Sequence, residues 1–151
     1  MEQQIYALRG EFLSRAAYVE HMLTWVIAQD VGIRDHKQGF PWFVRTPISA
    51  TAKINLFESI HGGNTMLPTD FCQRFRKMQR VRNVLAHSWA GSFSGTTRGE
   101  NLPDDLDDPD GLGEWIVEAK FFETWMSGMW ADHEVGILPP ISADDFADWP
   151  L

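Results

Sequence analysis

Residues 71–89, FCQRFRKMQRVRNVLAHSW, separate apolar from cationic side chains at helical spacing and give the clearest indication of a helical fold. Apolar residues recur at steps of three and four and form one stripe along a helix; they are Phe71, Phe75, Met78, Val81 and Leu85. The opposite side carries Arg76, Arg80, Asn83 and His87. The pattern predicts a packed helix whose polar face ends in an asparagine and an imidazole.

Arg82 does not belong to the polar stripe. An ideal helix places it among Phe75, Met78 and Leu85, where a guanidinium is costly unless a carboxylate, a subunit interface or a solvent-filled cleft receives it. The five-residue spacing points Arg82 and His87 about 140° apart. One subunit can therefore aim both at a single phosphate only if the helix breaks between them; the alternative is a cleft shared across a dimer axis.

Composition indicates one globular domain in a reducing compartment. The chain has 151 residues, of which 44% are hydrophobic and 23% charged, enough for a sizeable core. Cys72 is the single cysteine, which excludes an internal disulfide. Residues 1–12 lack the apolar run of a signal peptide, and no stretch approaches the roughly 18 apolar residues of a membrane span. We expect a cytoplasmic protein without a membrane partner.

Charge is distributed unevenly along the chain. The net charge of -8 argues against a protein that coats nucleic acid with its whole surface. Five of the 13 basic residues nevertheless fall within positions 74–82, whereas acids crowd into 104–110 and 144–148. A calcium loop at the first acidic run fails, because Leu106 and Val117 fall on the first and last ligand positions. We interpret that run as a solvated loop.

Two further helices are predicted before residues 71–89. Residues 4–30 repeat apolar side chains at steps of three and four and predict a long first helix. A second helix is capped by Thr46-Pro47 or Ser49 and ends at Gly62-Gly63. Within the first helix, we interpret Glu20 as a solvated charge at the edge of the apolar face; the alternative is a buried partner for an arginine. Lys53, on the second helix, reads as a surface lysine.

The chain changes character after His87. Glycine, serine, proline and aspartate dominate until Glu114, and Trp115, Val117 and Ala119 then alternate with other residues as in a strand. We predict a small β-hairpin in which this strand pairs with residues 89–94. A closing helix over 121–135 completes a helical domain of residues 1–138, and residues 139–151 form an acidic tail.

The segment from Arg82 to His87, RNVLAH, resembles the arginine, four to six residues, histidine motif of HEPN domains. It has the common form with asparagine after the arginine and alanine before the histidine. The layout over residues 4–90 is also similar: a long first helix with Glu20, a second helix with Lys53 near its start, and the motif late in a third. The resemblance implies an all-α, up-and-down helical bundle. The small β-hairpin after the third helix is predicted separately, from the sequence pattern.

HEPN domains commonly dimerise, and many are metal-independent ribonucleases whose paired arginines and histidines line a composite cleft. The resemblance implies that His87 acts as general base and then acid, that Arg82 stabilises the phosphorane and that Asn83 orients the site. Imidazole exchanges protons near neutrality, and a guanidinium grips two phosphate oxygens. The expected products carry 2',3'-cyclic phosphate and 5'-hydroxyl ends, and no metal or cofactor is expected.

The remaining residues take supporting roles in this hypothesis. RNA would lie along three cations of the third helix, Arg76, Lys77 and Arg80. Two charged residues of the first two helices, Glu20 and Lys53, would support the site. The expected setting is toxin–antitoxin or defence biology, with a homodimer, an RNA substrate and a possible cognate antitoxin.

Two other functions compete with the ribonuclease. One is a non-catalytic HEPN-like dimer that binds a partner protein or a nucleotide. The other is an unrelated structural bundle, since a histidine at a helix end is more often a cap or a satisfied core group than a catalyst. A monomer with Arg82 salt-bridged in the core and His87 buried would favour the structural bundle.

Overall fold

The computed structural model describes residues 1–30, 48–87 and 106–132, with side chains of the last range as far as Met129. These ranges contain four α-helices and no strand, which confirms the all-α class. The helices are α1 (Glu2–Asp30), α2 (Ala50–His61), α3 (Phe71–His87) and α4 (Pro109–Asp132).

The ends of α2 follow the predicted capping residues. The Ser49 hydroxyl accepts a hydrogen bond from the backbone N–H of Ala52 at 3.1 Å, and so satisfies a donor that the helix itself leaves free. At the other end the backbone N–H of Gly62 donates to the carbonyl of Glu58 at 2.7 Å. A Cβ at Gly62 would lie 2.5 Å from that oxygen, so the close approach requires glycine.

The fourth helix corrects the sequence interpretation. Residues 115–119 are helical, and α4 begins at Pro109, so the predicted strand and the start of the closing helix at 121 were wrong. The Asp108 side chain accepts from the N–H of Gly111 at 3.1 Å, which makes it the N-cap, and Pro109 follows in the first helical position. The apparent alternation was misleading, because Val117 is 66% exposed while the buried stripe has helical spacing. That stripe is Leu112, Ile116, Ala119, Phe122 and Met126.

Cross-helix contacts fix the directions of the helices. Glu20 and Asp30 of α1 pair with Lys53 and His61 of α2 in the same order, so these two helices run parallel. By contrast, α3 runs antiparallel to α2, because Phe71 contacts Phe57 while Arg76 contacts Asn55. It also runs antiparallel to α4, because Phe71 contacts Trp125 while Arg74 contacts Glu118. Residues 31–47, between α1 and α2, lie outside the described ranges, so the predicted up-and-down bundle stays a prediction.

Aromatic rings fill the centre of the bundle. Phe71 contacts the rings of Phe57, Phe75 and Phe122 with centroids 5.1–6.5 Å apart, and so links α2, α3 and α4. The most extensive helix pair is α1 with α4. Burial of these rings removes much apolar surface from water and provides the main stabilisation of the fold.

Several predictions fall on residues outside the described ranges. These are the second hairpin segment at 89–94 and the acidic tail at 139–151, so the proposed boundary at residue 138 stays a prediction. No helix in the described ranges has the length and apolar character needed to cross a membrane.

Candidate functional site

The predicted catalytic residues lie on the second half of α3. This helix continues without interruption from Phe71 to His87. An unbroken helix keeps Arg82 and His87 about 140° apart around the axis. The helix does not break before its last residue, His87, and the cleft shared across a dimer axis stays a prediction.

Arg82 is half-buried at the edge of the core. Its Nη1 donates to Oδ1 of the neighbouring Asn83 at 3.0 Å. No carboxylate within the described ranges forms an ion pair with it. The structure thus brings Arg82 and Asn83 together and leaves the guanidinium charge without an anionic partner there.

His87 is the last residue of α3, and its side chain is exposed. Asn83, one turn earlier, is exposed as well. A structural bundle was expected to bury His87 and to salt-bridge Arg82. Neither feature occurs in the part of the chain that the structure describes.

Two arginines of α3 are held by carboxylates of neighbouring helices. Arg74 binds both oxygens of Glu118 at 2.9 and 2.7 Å and lies 4.1 Å from the ring centroid of Phe121. Arg76 pairs with Glu58 and donates to Oδ1 of Asn55 at 2.8 Å. Hydrogen bonds to these carboxylates raise the pKa of both guanidinium groups, and the bond from Arg76 lowers the pKa of Glu58.

Arg80 and Lys77 differ from these arginines. Both side chains are exposed, and neither forms an ion pair with a described acid. The Lys77 amine lies 5.7 Å from the ring centroid of Trp115. Among the residues predicted to bind RNA, Arg80 and Lys77 are available for phosphates, whereas Arg76 is engaged across α2 and α3.

Glu20 and Lys53, the two residues predicted to support the catalytic site, lie in contact between α1 and α2. Glu20 and Lys53 form an ion pair at 3.5 Å, with side chains 23% and 15% exposed. Glu20 is therefore neither a solvated edge charge nor the partner of an arginine, and Lys53 is not an ordinary surface lysine. The antiparallel pairing of Asn55 with Arg76 places Lys53 level with roughly residues 78–81 of α3.

His21 adjoins this ion pair and was not singled out from the sequence. Burial, with a contribution from the Lys53 charge, lowers the pKa of His21 from 6.5 to about 4. The indole N–H of Trp25 donates to its Nε2 at 2.8 Å. The His21 imidazole is consequently neutral at pH 7 and serves as a hydrogen-bond acceptor. Its spacing of four residues from Trp25 is the only signal in the sequence that could have indicated this.

Gln79 is the second residue that the sequence did not reveal. It lies on α3, and the residue is 5% exposed. Both polar atoms of its amide are buried without a hydrogen-bond partner among the described residues. A primary amide in this situation is unusual, because most buried polar groups are satisfied.

A separate cleft lies at the other end of α3, by the turn that follows α2. It has a volume of about 510 Å³ and is lined by His61, Asp70 and Cys72 among others. Nε2 of His61 lies 2.7 Å from Oδ2 of Asp30, and burial raises the pKa of the Cys72 thiol. No three His, Cys, Asp or Glu side chains of the described ranges cluster as metal ligands.

Comparison with known proteins adds no relative. The chain matches no family model, no curated protein and no solved structure. The resemblance to HEPN domains therefore rests on the residues of the chain itself.

Proposed function

We propose that this protein is a metal-independent endoribonuclease of the HEPN type that acts as a homodimer. The observation that carries the proposal is the state of Arg82: a half-buried guanidinium, bonded to Asn83 and without a described carboxylate partner. A cation at the edge of a core calls for an anion, and a phosphate supplies one. The exposed His87 supplies a proton-transfer group on the same helix.

The unbroken helix supports the homodimer. Because Arg82 and His87 diverge by about 140°, two copies of α3 are needed to bring an arginine and a histidine onto one phosphate. A two-fold axis near the ends of these helices gives a cleft with two equivalent sets of side chains. Arg80 and Lys77 are exposed on the same helix and supply further positive charge for an RNA strand.

The proposed reaction is an intramolecular transfer of the phosphoryl group from the 5'-oxygen of one nucleotide to the 2'-oxygen of the preceding one. His87 removes the proton of the ribose 2'-hydroxyl, and the 2'-oxygen forms a bond to the adjacent phosphorus. Arg82 stabilises the charge of the phosphorane through paired N–H bonds, with Asn83 holding the guanidinium. The bond to the 5'-oxygen breaks, and the imidazolium protonates that oxygen. The products are a 2',3'-cyclic phosphate and a 5'-hydroxyl, and no water or metal is consumed.

The test uses purified protein and single-stranded RNA in excess EDTA. We expect cleavage with cyclic phosphate ends, and a rate at least about 100-fold lower for His87→Ala and for Arg82→Ala, as for loss of an acid–base or charge-stabilising group. Lys120→Ala is the matched control, since it removes an exposed cation on α4. Circular dichroism checks that every variant is folded.

Three outcomes would contradict the proposal. RNA that stays intact at high protein concentration contradicts the ribonuclease, and RNA that is bound but uncut supports the non-catalytic binding module instead. Cleavage that persists in His87→Ala contradicts the assigned base. An active monomer in sedimentation velocity would exclude the shared cleft.

The proposed ribonuclease activity is also the basis on which we propose a toxin–antitoxin or defence role. Expression of an RNA-cleaving protein arrests growth, and we expect His87→Ala to relieve that arrest. A cognate antitoxin would protect cells that express the unaltered protein. Arrest that persists in the His87→Ala variant would separate toxicity from RNA cleavage.

A further inference from the structure

Gln79 is the least satisfied buried side chain of α3. It is 5% exposed, and both its amide oxygen and its amide nitrogen lack a described hydrogen-bond partner. Thr24, the other buried polar residue of the described ranges, donates to the carbonyl of Glu20 at 3.0 Å. A buried amide without partners destabilises the fold, so its presence requires a reason outside packing.

The position of Gln79 on the helix points to Arg82. Gln79 precedes Arg82 by three residues and Asn83 by four, so on the helical wheel it lies between them, where the apolar side meets the polar stripe. Side chains of a helix lean toward its N-terminus, which places the long Arg82 side chain over the turn that contains Gln79. Spacing and side-chain direction thus make Arg82 a neighbour of the Gln79 amide on the helix.

The hydrogen-bonding capacities of the three side chains complement one another. A guanidinium has five N–H donors in a rigid fork, and Asn83 accepts one of them. A phosphate takes two more, and a guanidinium that is held on its inner side by the protein grips the phosphate in one orientation. The Gln79 oxygen is an acceptor of the required kind, and its nitrogen can donate to Oδ1 of Asn83.

We infer that Gln79 is a positioning residue for Arg82, an inference that rests on the ribonuclease function proposed above. In the RNA-bound site the Gln79 amide oxygen accepts a guanidinium N–H and fixes the fork on the phosphate. In the free protein the amide has no partner among the described residues, and the guanidinium bonds to Asn83 alone within those ranges. The fold thus tolerates an unsatisfied group whose hydrogen bond forms only when the substrate is bound.

The test replaces Gln79 with methionine, which has a similar volume and cannot form these hydrogen bonds. Removal of an unsatisfied buried amide should raise Tm by roughly 2–4 °C. If Gln79 positions Arg82, the same change lowers kcat about tenfold while KM stays within about twofold. Stability and activity then move in opposite directions, which a side chain with a packing role alone would not produce.

A double-mutant cycle with Arg82→Lys shows whether the effect passes through the guanidinium. Lysine keeps the charge but lacks the fork, so Gln79→Met should cause no further loss of kcat in that background. A tenfold loss in both backgrounds, an unchanged kcat in the single variant, or a lower Tm would overturn the inference. If the wild-type protein leaves RNA intact, the inference falls together with the proposed function. Cleavage that Gln79→Met leaves unaffected overturns the inference alone.

Discussion

The two halves of α3 differ in how their side chains are satisfied. In residues 71–78, Phe71 and Phe75 are buried against aromatic rings, and Arg74 and Arg76 are paired with Glu118 and Glu58. In residues 79–87, the buried amide of Gln79 has no described partner, Arg82 bonds to no described residue except Asn83, and His87 is exposed. One helix thus combines a half that stabilises the bundle with a half that retains unused binding capacity.

The largest predicted effect is on stability and falls in the first half. Phe75 is fully buried and stacks on Phe122 with centroids 4.8 Å apart. We expect Phe75→Ala to lower the free energy of unfolding by about 3–5 kcal/mol, because it leaves a cavity in the aromatic core. Urea denaturation followed by circular dichroism measures the change. A loss below about 1 kcal/mol would show that this half does not dominate stability.

The second effect concerns the pH dependence of stability and His21 of α1, beside the Glu20–Lys53 ion pair. The folded-state pKa of His21 is about 4, below its ordinary value of 6.5, so between these values the unfolded chain binds more protons. The associated stability is fully present above about pH 6.5 and is lost as pH falls toward 4. Allowing for partial solvent screening, the loss is on the order of 2 kcal/mol.

His21→Gln isolates this contribution, because glutamine offers an acceptor to the Trp25 N–H but does not titrate. We expect the variant to lose less stability than the wild type when urea midpoints are compared at pH 7 and pH 4.5. Carboxylates titrate equally in both proteins, so they cancel in the difference. Parallel pH dependences for the two proteins would contradict the assigned pKa and its cause.

The smallest effect compares one arginine from each half. Arg74 makes a bidentate, partly buried pair with Glu118, and Arg74→Ala should lower stability by about 1 kcal/mol without changing RNA cleavage. Arg80→Ala should leave the urea midpoint unchanged and weaken RNA binding, with a salt-dependence slope smaller by about 0.7. Titration of labelled RNA at several salt concentrations measures the slope. Equal slopes for Arg80→Ala and the wild type would exclude Arg80 from the RNA-binding surface.

Much of the fold was predictable because the dominant signals were local. The first three helices and the buried stripe of α3 follow from apolar spacing and from Ser49 and Gly62 at the ends of α2. The first half of the fourth helix was missed because Trp115, Val117 and Ala119 alternate by chance, whereas its second half falls within the predicted closing helix. The decisive signal was the Asp108-Pro109 start, in which an aspartate caps the helix and a proline occupies its first turn.

The site was predictable only in part. The helical wheel correctly separated Arg82 from the polar stripe, because angular position depends on spacing alone. Pairings between helices, such as Glu20 with Lys53 and Arg76 with Glu58, depend on the direction and register of packed helices. The spacing of residues within one helix does not show how that helix packs against another. The burial of Gln79 depends on such packing, so it was not predicted from the sequence.

The pairing of α1 with α4 has a consequence for synthesis of the chain. Arg15 on α1 contacts Glu123 on α4, 108 residues later. At a translation rate of roughly 5–20 residues per second, the first helix leaves the ribosome about 5–20 s before its main partner has been made. The bundle closes only after α4 emerges, which gives it a higher contact order than a bundle built from sequential neighbours, and slower folding. Most of the apolar surface of α1 therefore stays uncovered until late in the synthesis of each molecule.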